Sequence, residues 1–300
     1  MVRIITLLTL FSICISSCTT NHITEIALHK NAIIVLGTAQ DAGSPHMNCR
    51  KDCCISLWDD ANKKTNVVSL AIYDHELNQN WLFEATPDIA IQLNELKELT
   101  NDDSHLPSGV FLTHAHIGHY TGLQFFGKEA MGANEMPVYA MPNMKSYLES
   151  NGPWSQLVTQ KNIQLNALQE DSVHSISKNL KVKPVLVPHR DEYSETVGYY
   201  IFFKKKTILF IPDIDKWQKW NKNISDEIKQ VDYAFVDATF YNTNELPNRD
   251  MSEIPHPFVV ESMELFDELP IEEKKKVYFI HLNHSNPLLK NNSQEQTVVS

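Results

Sequence analysis

The stretch that most constrains how this chain folds runs from residue 110 to 123 and carries three closely spaced histidines, His114, His116 and His119. An apolar run leads directly into them. On a regular helix His114 and His116 would point about 200° apart, so their spacing favours a loop at the end of a strand. Imidazole is a ligand well suited to zinc. The pattern therefore predicts a metal site here, in preference to three polar residues of a surface loop.

Polar side chains also follow other predicted strands at the point where each strand ends. They are His189 after residues 182–188, Asp213 after residues 207–212, and His281 or His284 after residues 277–280. Three imidazoles and a carboxylate from separate strand ends would hold a metal ion and leave one coordination position open for water. An open position is the condition for catalysis, so these residues predict a catalytic metal.

Apolar runs and turn residues alternate along the chain in a way that indicates strands interleaved with helices. Beyond the strands already named, we expect strands at residues 32–36, 67–73, 81–84, 137–140, 197–203 and 233–236. We expect helices from Pro87 and at residues 122–131, 143–151, 216–230 and 261–269. The polar end of the chain, residues 290–300, is expected to fray.

Composition limits the function classes. With 300 residues, of which 42% are hydrophobic, the chain can bury a sizeable core. Its formal net charge of −11 argues against a nucleic-acid partner that needs a broad basic face. A small-molecule substrate is the expectation.

The N-terminal segment has the pattern of a targeting sequence. Arg3 precedes an apolar run of residues 4–15, which is shorter than the roughly 18 to 20 residues that cross a bilayer as a helix. The following Ser-Ser-Cys resembles a bacterial lipobox. We therefore expect a signal peptide at residues 1–17, lipidation at Cys18, a tether at 18–30 and a single domain at 31–300. The lipid would anchor the protein in the bacterial cell envelope, on the periplasmic side or at the outer membrane. The alternative is a buried apolar helix or an uncleaved anchor.

Three cysteines, Cys49, Cys53 and Cys54, lie in the predicted domain. An odd number does not suit a framework of paired disulfides. Together with His46 they are candidates for a structural zinc site. A disulfide with one free thiol, or three ordinary thiols, are the alternatives.

As a whole, the pattern resembles the metallo-β-lactamase superfamily, whose fold is an αββα sandwich (α+β): two mixed β-sheets packed face to face, with helices on the outer faces. The resemblance is carried by Thr-His-Ala-His-Ile-Gly-His at 113–119, Val-Pro-His-Arg at 187–190, Ile-Pro-Asp at 211–213 and Phe-Ile-His-Leu-Asn-His at 279–284. Within the superfamily, residues 35–39 with the cysteine cluster, and 279–287, look most like the pyrroloquinoline-quinone biosynthesis protein B (PqqB) family. Residues 237–240 and 256–262 are similar to tRNase Z and related cyclic phosphodiesterases.

The resemblance implies a first zinc held by His114, His116 and His189, with Asp213 bridging to a second metal that His119 and His281 would also hold. The chain departs from the superfamily at Gly118, where an aspartate usually ligates the second metal and can accept a proton. Asp41 and His46 are candidates to complete the second site, and a turn-capping carboxylate is the alternative for Asp41. His284 would be a ligand, a partner of a ligand, or a substrate contact.

The implied activity is hydrolysis, in which a metal-bound water attacks an ester or phosphodiester. Asp213 and Asp41 would be catalytic residues that act by binding the metal ions. His256 would donate a proton to the leaving group, or is merely a loop histidine before Pro257. Two other functions remain open: an iron-dependent oxygen-using enzyme, and a catalytically decayed metal-binding protein, the latter suggested by Gly118.

Overall fold

The computed structural model describes residues 28–300 apart from residues 61–62, 102–103 and 105. The predicted signal peptide, Cys18 and most of the predicted tether lie outside the described residues. Within the described ranges, none of the helices has both the length and the apolar character needed to cross a bilayer.

Two six-stranded sheets form the centre of the molecule. The first contains, in spatial order, β1 (Ala32–Gly37), β2 (Ser69–Asp74), β3 (Gln79–Phe83), β4 (Gly109–Phe111), β5 (Met136–Ala140) and β6 (Ile163–Ala167). The second contains β7 (His174–Ser175), β8 (Leu180–Leu186), β9 (Val197–Phe203), β10 (Lys206–Ile211), β11 (Tyr233–Asp237) and β12 (Val277–Ile280). Both sheets are mixed: β3 to β6 and β10 to β12 pair in parallel, and the remaining neighbours are antiparallel.

Eight α-helices are present in the described part of the chain. They are α1 (Ile89–Thr100), α2 (Ile117–Tyr120), α3 (Pro142–Ser150), α4 (Trp154–Thr159), α5 (Ile224–Lys229), α6 (Val259–Phe266), α7 (Ile271–Lys274) and α8 (Gln294–Val299). Short 3-10 helices occupy Ile55–Leu57, Thr121–Phe126, Trp217–Lys219, Met251–Glu253 and Pro287–Leu289.

The sheets pack face to face through an aromatic core. The rings of Phe83 and Phe111 stack with centroids 4.7 Å apart, and Tyr199 of the second sheet meets them edge-on at 5.6 and 5.9 Å. Leu96 of α1 and Leu148 of α3 are buried against the outer face of the first sheet, and α5 and α6 cover the second. The predicted αββα sandwich is confirmed.

Several predicted elements were wrong. The helix expected at 122–131 is the 3-10 helix Thr121–Phe126, because Gly122 is pressed against the backbone: a Cβ there would lie 2.9 Å from the Ala85 carbonyl oxygen. The helix expected at 216–230 is divided, because the Asn223 side chain accepts hydrogen bonds from the backbone N–H groups of Ser225 and Asp226 and starts α5 anew.

Five regular elements, α2, α4, α7, β6 and β7, had no predicted counterpart. The C-terminal segment that we expected to fray contains α8. There the Ser293 side chain accepts from the Gln296 N–H and caps the helix, and Gln296 Nε2 donates to the Leu288 carbonyl at 2.8 Å.

Candidate metal centre

The polar residues that end strands meet at one edge of the two packed sheets. Glu84 directly follows β3, His114 and His116 follow β4, His189 follows β8, Asp213 follows β10, Asp237 ends β11 and His281 directly follows β12. Because β3 and β4 run parallel in one sheet and β10, β11 and β12 run parallel in the other, their carboxyl ends lie together when the sheets pack.

The first group of potential ligands comprises His114, His116, His189 and Asp213, with one ligand atom of each lying within 4.8 Å of the others. Asp213 Oδ2 is 3.3 Å from His114 Nε2 and 3.2 Å from His189 Nε2. His116 Nδ1 is 2.8 Å from His114 Nε2 and 3.2 Å from His189 Nε2. The His116 side chain is 15% exposed while the other three are nearly completely buried. The group therefore opens to solvent on the His116 side.

The second group comprises Asp41, His119 and His281. Asp41 Oδ1 is 3.4 Å from His119 Nε2 and 4.0 Å from His281 Nε2. Asp213 Oδ2 faces the same two nitrogens at 3.8 and 3.9 Å. The Asp213 carboxylate thus lies between the two groups, where it can serve both.

The second ring nitrogen of each histidine in the two groups also faces a polar atom. The pairs are His114 Nδ1 with Thr113 Oγ1 (2.9 Å), His116 Nε2 with Glu192 Oε2 (3.1 Å), His119 Nδ1 with Glu84 Oε1 (3.3 Å), His189 Nδ1 with Asp215 Oδ1 (3.2 Å) and His281 Nδ1 with Thr239 Oγ1 (2.9 Å). Contacts of this kind fix the ring orientation and tautomer of metal-binding histidines. These partners were not predicted from the sequence, although Glu84 directly follows a strand, as the ligands do.

Four buried or partly buried carboxylates, those of Asp41, Glu84, Asp213 and Asp237, concentrate negative charge at this edge. Within the part of the chain that the structure describes, their ion pairs are all with histidines and none is with lysine or arginine. Buried carboxylates are costly unless a cation compensates them. The negative charge of these four carboxylates therefore requires compensation by protonated imidazoles or by metal ions.

The pKa shifts differ between the two groups. Burial and the nearby His119 hold the pKa of His114 well below its usual value, so that His114 is neutral and able to ligate. Burial alone would lower the pKa of His119, but Glu84 and Asp41 outweigh burial and raise it to about 10.

Several polar atoms of the site are buried without a hydrogen-bond partner. Among the described residues they are Asp41 Oδ1, Asp213 Oδ1, His119 Nε2 and His281 Nε2; His119 Nδ1 also lacks a hydrogen bond but faces Glu84. Unpartnered buried donors and acceptors are rare, and a coordinated cation would satisfy such atoms. The residues present therefore fit a metal centre with oxygen and imidazole donors.

His256 also belongs to this site. Its Nδ1 lies 2.8 Å from Asp237 Oδ2 and 3.2 Å from Asp213 Oδ1, and its ring centroid is 5.6 Å from that of His189. Burial would lower the pKa of His256, but the carboxylates of Asp237 and Asp213 raise it well above its usual value. Asp237, which the sequence reasoning did not include among the site residues, is the partner that orients this ring.

The cysteine cluster forms a separate site, and its histidine is not the expected one. Cys49, Cys53 and Cys54 group with His284, and none of the three cysteines is in a disulfide. The sulfur of Cys53 lies 3.9 Å from that of Cys49 and 3.8 Å from that of Cys54. His284 Nδ1 is buried without a hydrogen-bond partner, and burial lowers its pKa to about 4, which leaves the ring neutral.

Two predictions for histidines are corrected by this arrangement. His284 lies with the cysteines and not among the ligands of the first two groups. His46 contributes to none of the ligand groups, because its ring packs on that of His284 at 4.4 Å. The physical reason is the pairing of Leu282 N–H with the Thr38 carbonyl at 2.8 Å, which brings the turn after β12 over the first loop.

Residues 79–282 match the model of the β-lactamase superfamily domain. The chain belongs to the β-lactamase superfamily. Two similar curated proteins are coenzyme PQQ synthesis protein B (PqqB) of Methylobacillus flagellatus, 25% identical with 88% of this chain and 93% of the relative covered, and that of Methylococcus capsulatus, 23% identical with 89% and 94% covered.

Solved structures of superfamily members share the fold. The zinc-bound PqqB of Methylobacterium extorquens superimposes with a TM-score of 0.73 at 19% identity, covering 89% of this chain and 94% of that one. A diphosphatase of the PhnP family gives 0.58 at 19% identity, covering 86% and 88%. The short form of human tRNase Z gives 0.53 at 14% identity, covering 84% and 92%. The resemblance predicted from the sequence, to PqqB and to the tRNase Z branch, is confirmed.

Proposed function

We propose that this protein is a zinc-dependent hydrolase that cleaves an ester or phosphodiester bond of a small molecule. The observation that carries the proposal is the first ligand group. Three imidazoles and the Asp213 carboxylate converge, and the group opens to solvent beside His116, whose side chain is 15% exposed. A solvent-accessible face beside the ligands, from which a water can reach the metal, is typical of catalytic metal sites.

The residues of the centre have distinct roles in the proposed reaction. His114, His116, His189 and Asp213 would hold the zinc, which supplies an activated water and polarises the scissile group. Asp237 accepts a hydrogen bond from His256 Nδ1 and fixes that ring next to the first group. From there His256 donates a proton to the leaving group.

The comparisons suggest which substrates to test first. One similar structure is a diphosphatase and another is a tRNase Z. Bonds between phosphorus and oxygen are therefore the first choice, with carboxylic esters as the second. The PqqB relatives are named for a role in coenzyme PQQ synthesis, which does not specify a bond.

The experiment measures metal content and hydrolysis on one purified sample. We expect zinc in the native protein, turnover of bis(p-nitrophenyl) phosphate or p-nitrophenyl esters, and at least about a 100-fold lower kcat/KM in His114→Ala, because a first ligand is lost. His75→Ala, which alters an exposed histidine in the β2–β3 turn, is the matched control and should leave the rate unchanged.

Two results would contradict the hydrolase. Stoichiometric iron with no hydrolysis across both substrate panels would favour an oxygen-using enzyme. Unchanged metal content and unchanged phenotype in His114→Ala would favour a protein whose catalytic site has decayed.

We also propose that the protein is a lipoprotein and that the cysteine cluster holds a structural zinc. The first proposal rests on the lipobox pattern ending at Cys18. Labelling with a fatty-acid analogue should be abolished by Cys18→Ala, and labelling that persists would refute the lipoprotein proposal.

The structural zinc proposal rests on the three free thiols and the unpartnered His284 Nδ1, which face one another in the described part of the chain.

A further inference from the structure

Gly118 stands where a superfamily aspartate is expected, and the space beside it is already filled. A Cβ on Gly118 would overlap Asp41 Oδ1 and lie 2.6 Å from the Asp41 Cα and 3.1 Å from its Cγ. The three atoms nearest to this Cβ therefore all belong to Asp41, which reaches the site from the loop after β1.

The backbone around Asp41 is held firmly in this position. Gln40 N–H donates to the Leu282 carbonyl at 2.8 Å, and Ala39 N–H donates to the Asn66 carbonyl at 3.0 Å. Gly43 N–H donates back to the Gln40 carbonyl at 2.8 Å and closes the turn with a positive φ of 70°. The loop is therefore tied to the end of β12, next to His281.

The Asp41 side chain does not cap its own turn. Among the described residues its hydrogen bonding is limited to a 3.4 Å contact between Gln40 Nε2 and Oδ2, and no backbone N–H donates to it. Its Oδ1 is buried and unpartnered, and it faces the Nε2 atoms of His119 and His281, which are also buried and unpartnered. Three ligand atoms thus converge on one point without satisfying one another.

We propose that Asp41 supplies the carboxylate ligand that Gly118 cannot, so that the centre holds two metal ions. Asp41, His119 and His281 hold the second ion, and Asp213 Oδ2, which lies between the two groups, is shared by both. This inference extends the proposed function. It requires a metal ion in the first group, but it does not require that the protein hydrolyses a substrate. Asp41 and a side chain at position 118 exclude each other sterically, so in this chain the carboxylate comes from the first loop and not from α2.

The test counts metals and locates them, independently of turnover. The full chain is loaded with zinc, passed through gel filtration, and assayed for zinc per protein, as wild type and as Asp41→Ala, Asp41→Asn and Asp59→Ala. Asp59 is an exposed carboxylate and serves as the matched control. Anomalous diffraction at the zinc edge of wild type and Asp41→Asn then assigns each ion to its ligands.

We expect both Asp41 variants to contain one zinc fewer than wild type, and Asp59→Ala to match wild type. The anomalous peak among His119, His281 and Asp213 should vanish in Asp41→Asn, while the peak at His114, His116 and His189 remains. Because Asp41→Asn keeps the size and shape of the side chain, it decides the question if Asp41→Ala fails to fold.

Equal zinc content in wild type and Asp41→Asn, or a wild type without the second peak, would overturn the inference. A wild type that hydrolyses its substrate with only the first peak would overturn the inference and leave the proposed function standing. Conversely, two peaks that depend on Asp41, with no hydrolysis of any substrate, would sustain the inference and contradict the hydrolase.

Discussion

At the scale of single residues, the arrangement of the ligands depends on buried neighbours such as Glu84. Glu84 is completely buried, and its Oε1 lies 3.3 Å from His119 Nδ1 while it accepts a 2.6 Å hydrogen bond from Thr113 Oγ1. Its φ of 85° is in the left-handed region, as is the φ of 62° at His281. Non-glycine residues hold this conformation at a cost and are often found at functional sites.

Glu84→Gln should weaken the second metal site. The amide keeps the size of the side chain but loses the charge that orients His119, and loss of such a partner typically weakens metal affinity about 10- to 100-fold. Zinc titration against a competing chelator should show this loss at the second site and a smaller loss at the first, because Thr113 Oγ1 connects Glu84 to His114 Nδ1. An unaltered titration curve would mean that Glu84 only fills space.

Gly118→Ala should remove the second metal without deleting any donor atom. The added methyl group would overlap Asp41 Oδ1 and Cα, so the first loop must move away from His119. We expect one zinc equivalent fewer, measured by the same metal analysis, and a folded protein. Gly132→Ala is the control, because it adds the same methyl group where a Cβ meets no atom within 4 Å, at a φ of 61° that adds some strain. Full zinc content in Gly118→Ala would show that the loop can adapt.

At the scale of elements, one loop serves two sites. The segment between β1 and β2 contributes Asp41 to the second group and Cys49, Cys53 and Cys54 to the cluster with His284. The turn after β12 likewise supplies His281 to one and His284 to the other. A metal at the cysteine cluster would therefore hold together two segments that are far apart in sequence, without a disulfide.

Cys53→Ser should remove one zinc and lower the Tm by several degrees. A structural zinc stabilises the fold by binding the native arrangement and not the unfolded chain. The measurement is thermal unfolding with parallel zinc analysis. Met47→Ala, which alters a 78% exposed side chain of the same loop, is the control. A Cys53→Ser protein with unchanged zinc and Tm would favour three ordinary thiols.

At the scale of the whole molecule, the two sheets are joined by their aromatic core on the inside and by the ligand groups at the edge. Glu84, His114 and His119 come from the first sheet and its connections, whereas His189, Asp213 and His281 come from the second. Bound metal ions would thus cross-link the halves of the sandwich. The buried Asp213 carboxylate of the second sheet faces His119 of the first sheet at 3.8 Å and His281 at 3.9 Å, so an ion bound among them would join the two sheets.

Removing the metals should therefore destabilise the entire fold. We expect the Tm to fall when the native protein is treated with a strong chelator, and to return when zinc is added, since ligands bound by the native state raise its stability. Calorimetry on the Cys53→Ser variant isolates the contribution of the edge site. A Tm that is insensitive to the chelator in both proteins would contradict metal cross-linking.

The sequence by itself determined the fold class and the residue types that gather at the edge of the sheets. Histidines and an aspartate at strand ends predicted the first ligand group, because residue type and strand polarity are both local properties that a sequence displays directly. Glu84 and Asp237 also lie at strand ends, but they were not predicted to belong to the site. The boundaries that failed, such as the helix expected at 122–131, depended on the packing of Gly122 against a distant strand end, which local pattern does not contain.

Only the tertiary structure decided which residues share a site. His284 lies three residues after His281, yet it joins the cysteines, because a positive φ at His281 and the pairing of Leu282 with Thr38 direct the chain back over the first loop. The relation between Asp41 and Gly118 is equally invisible in the sequence, since 77 positions separate them. Whether a carboxylate caps a turn or reaches a metal depends on the atoms facing it, and folding sets those atoms.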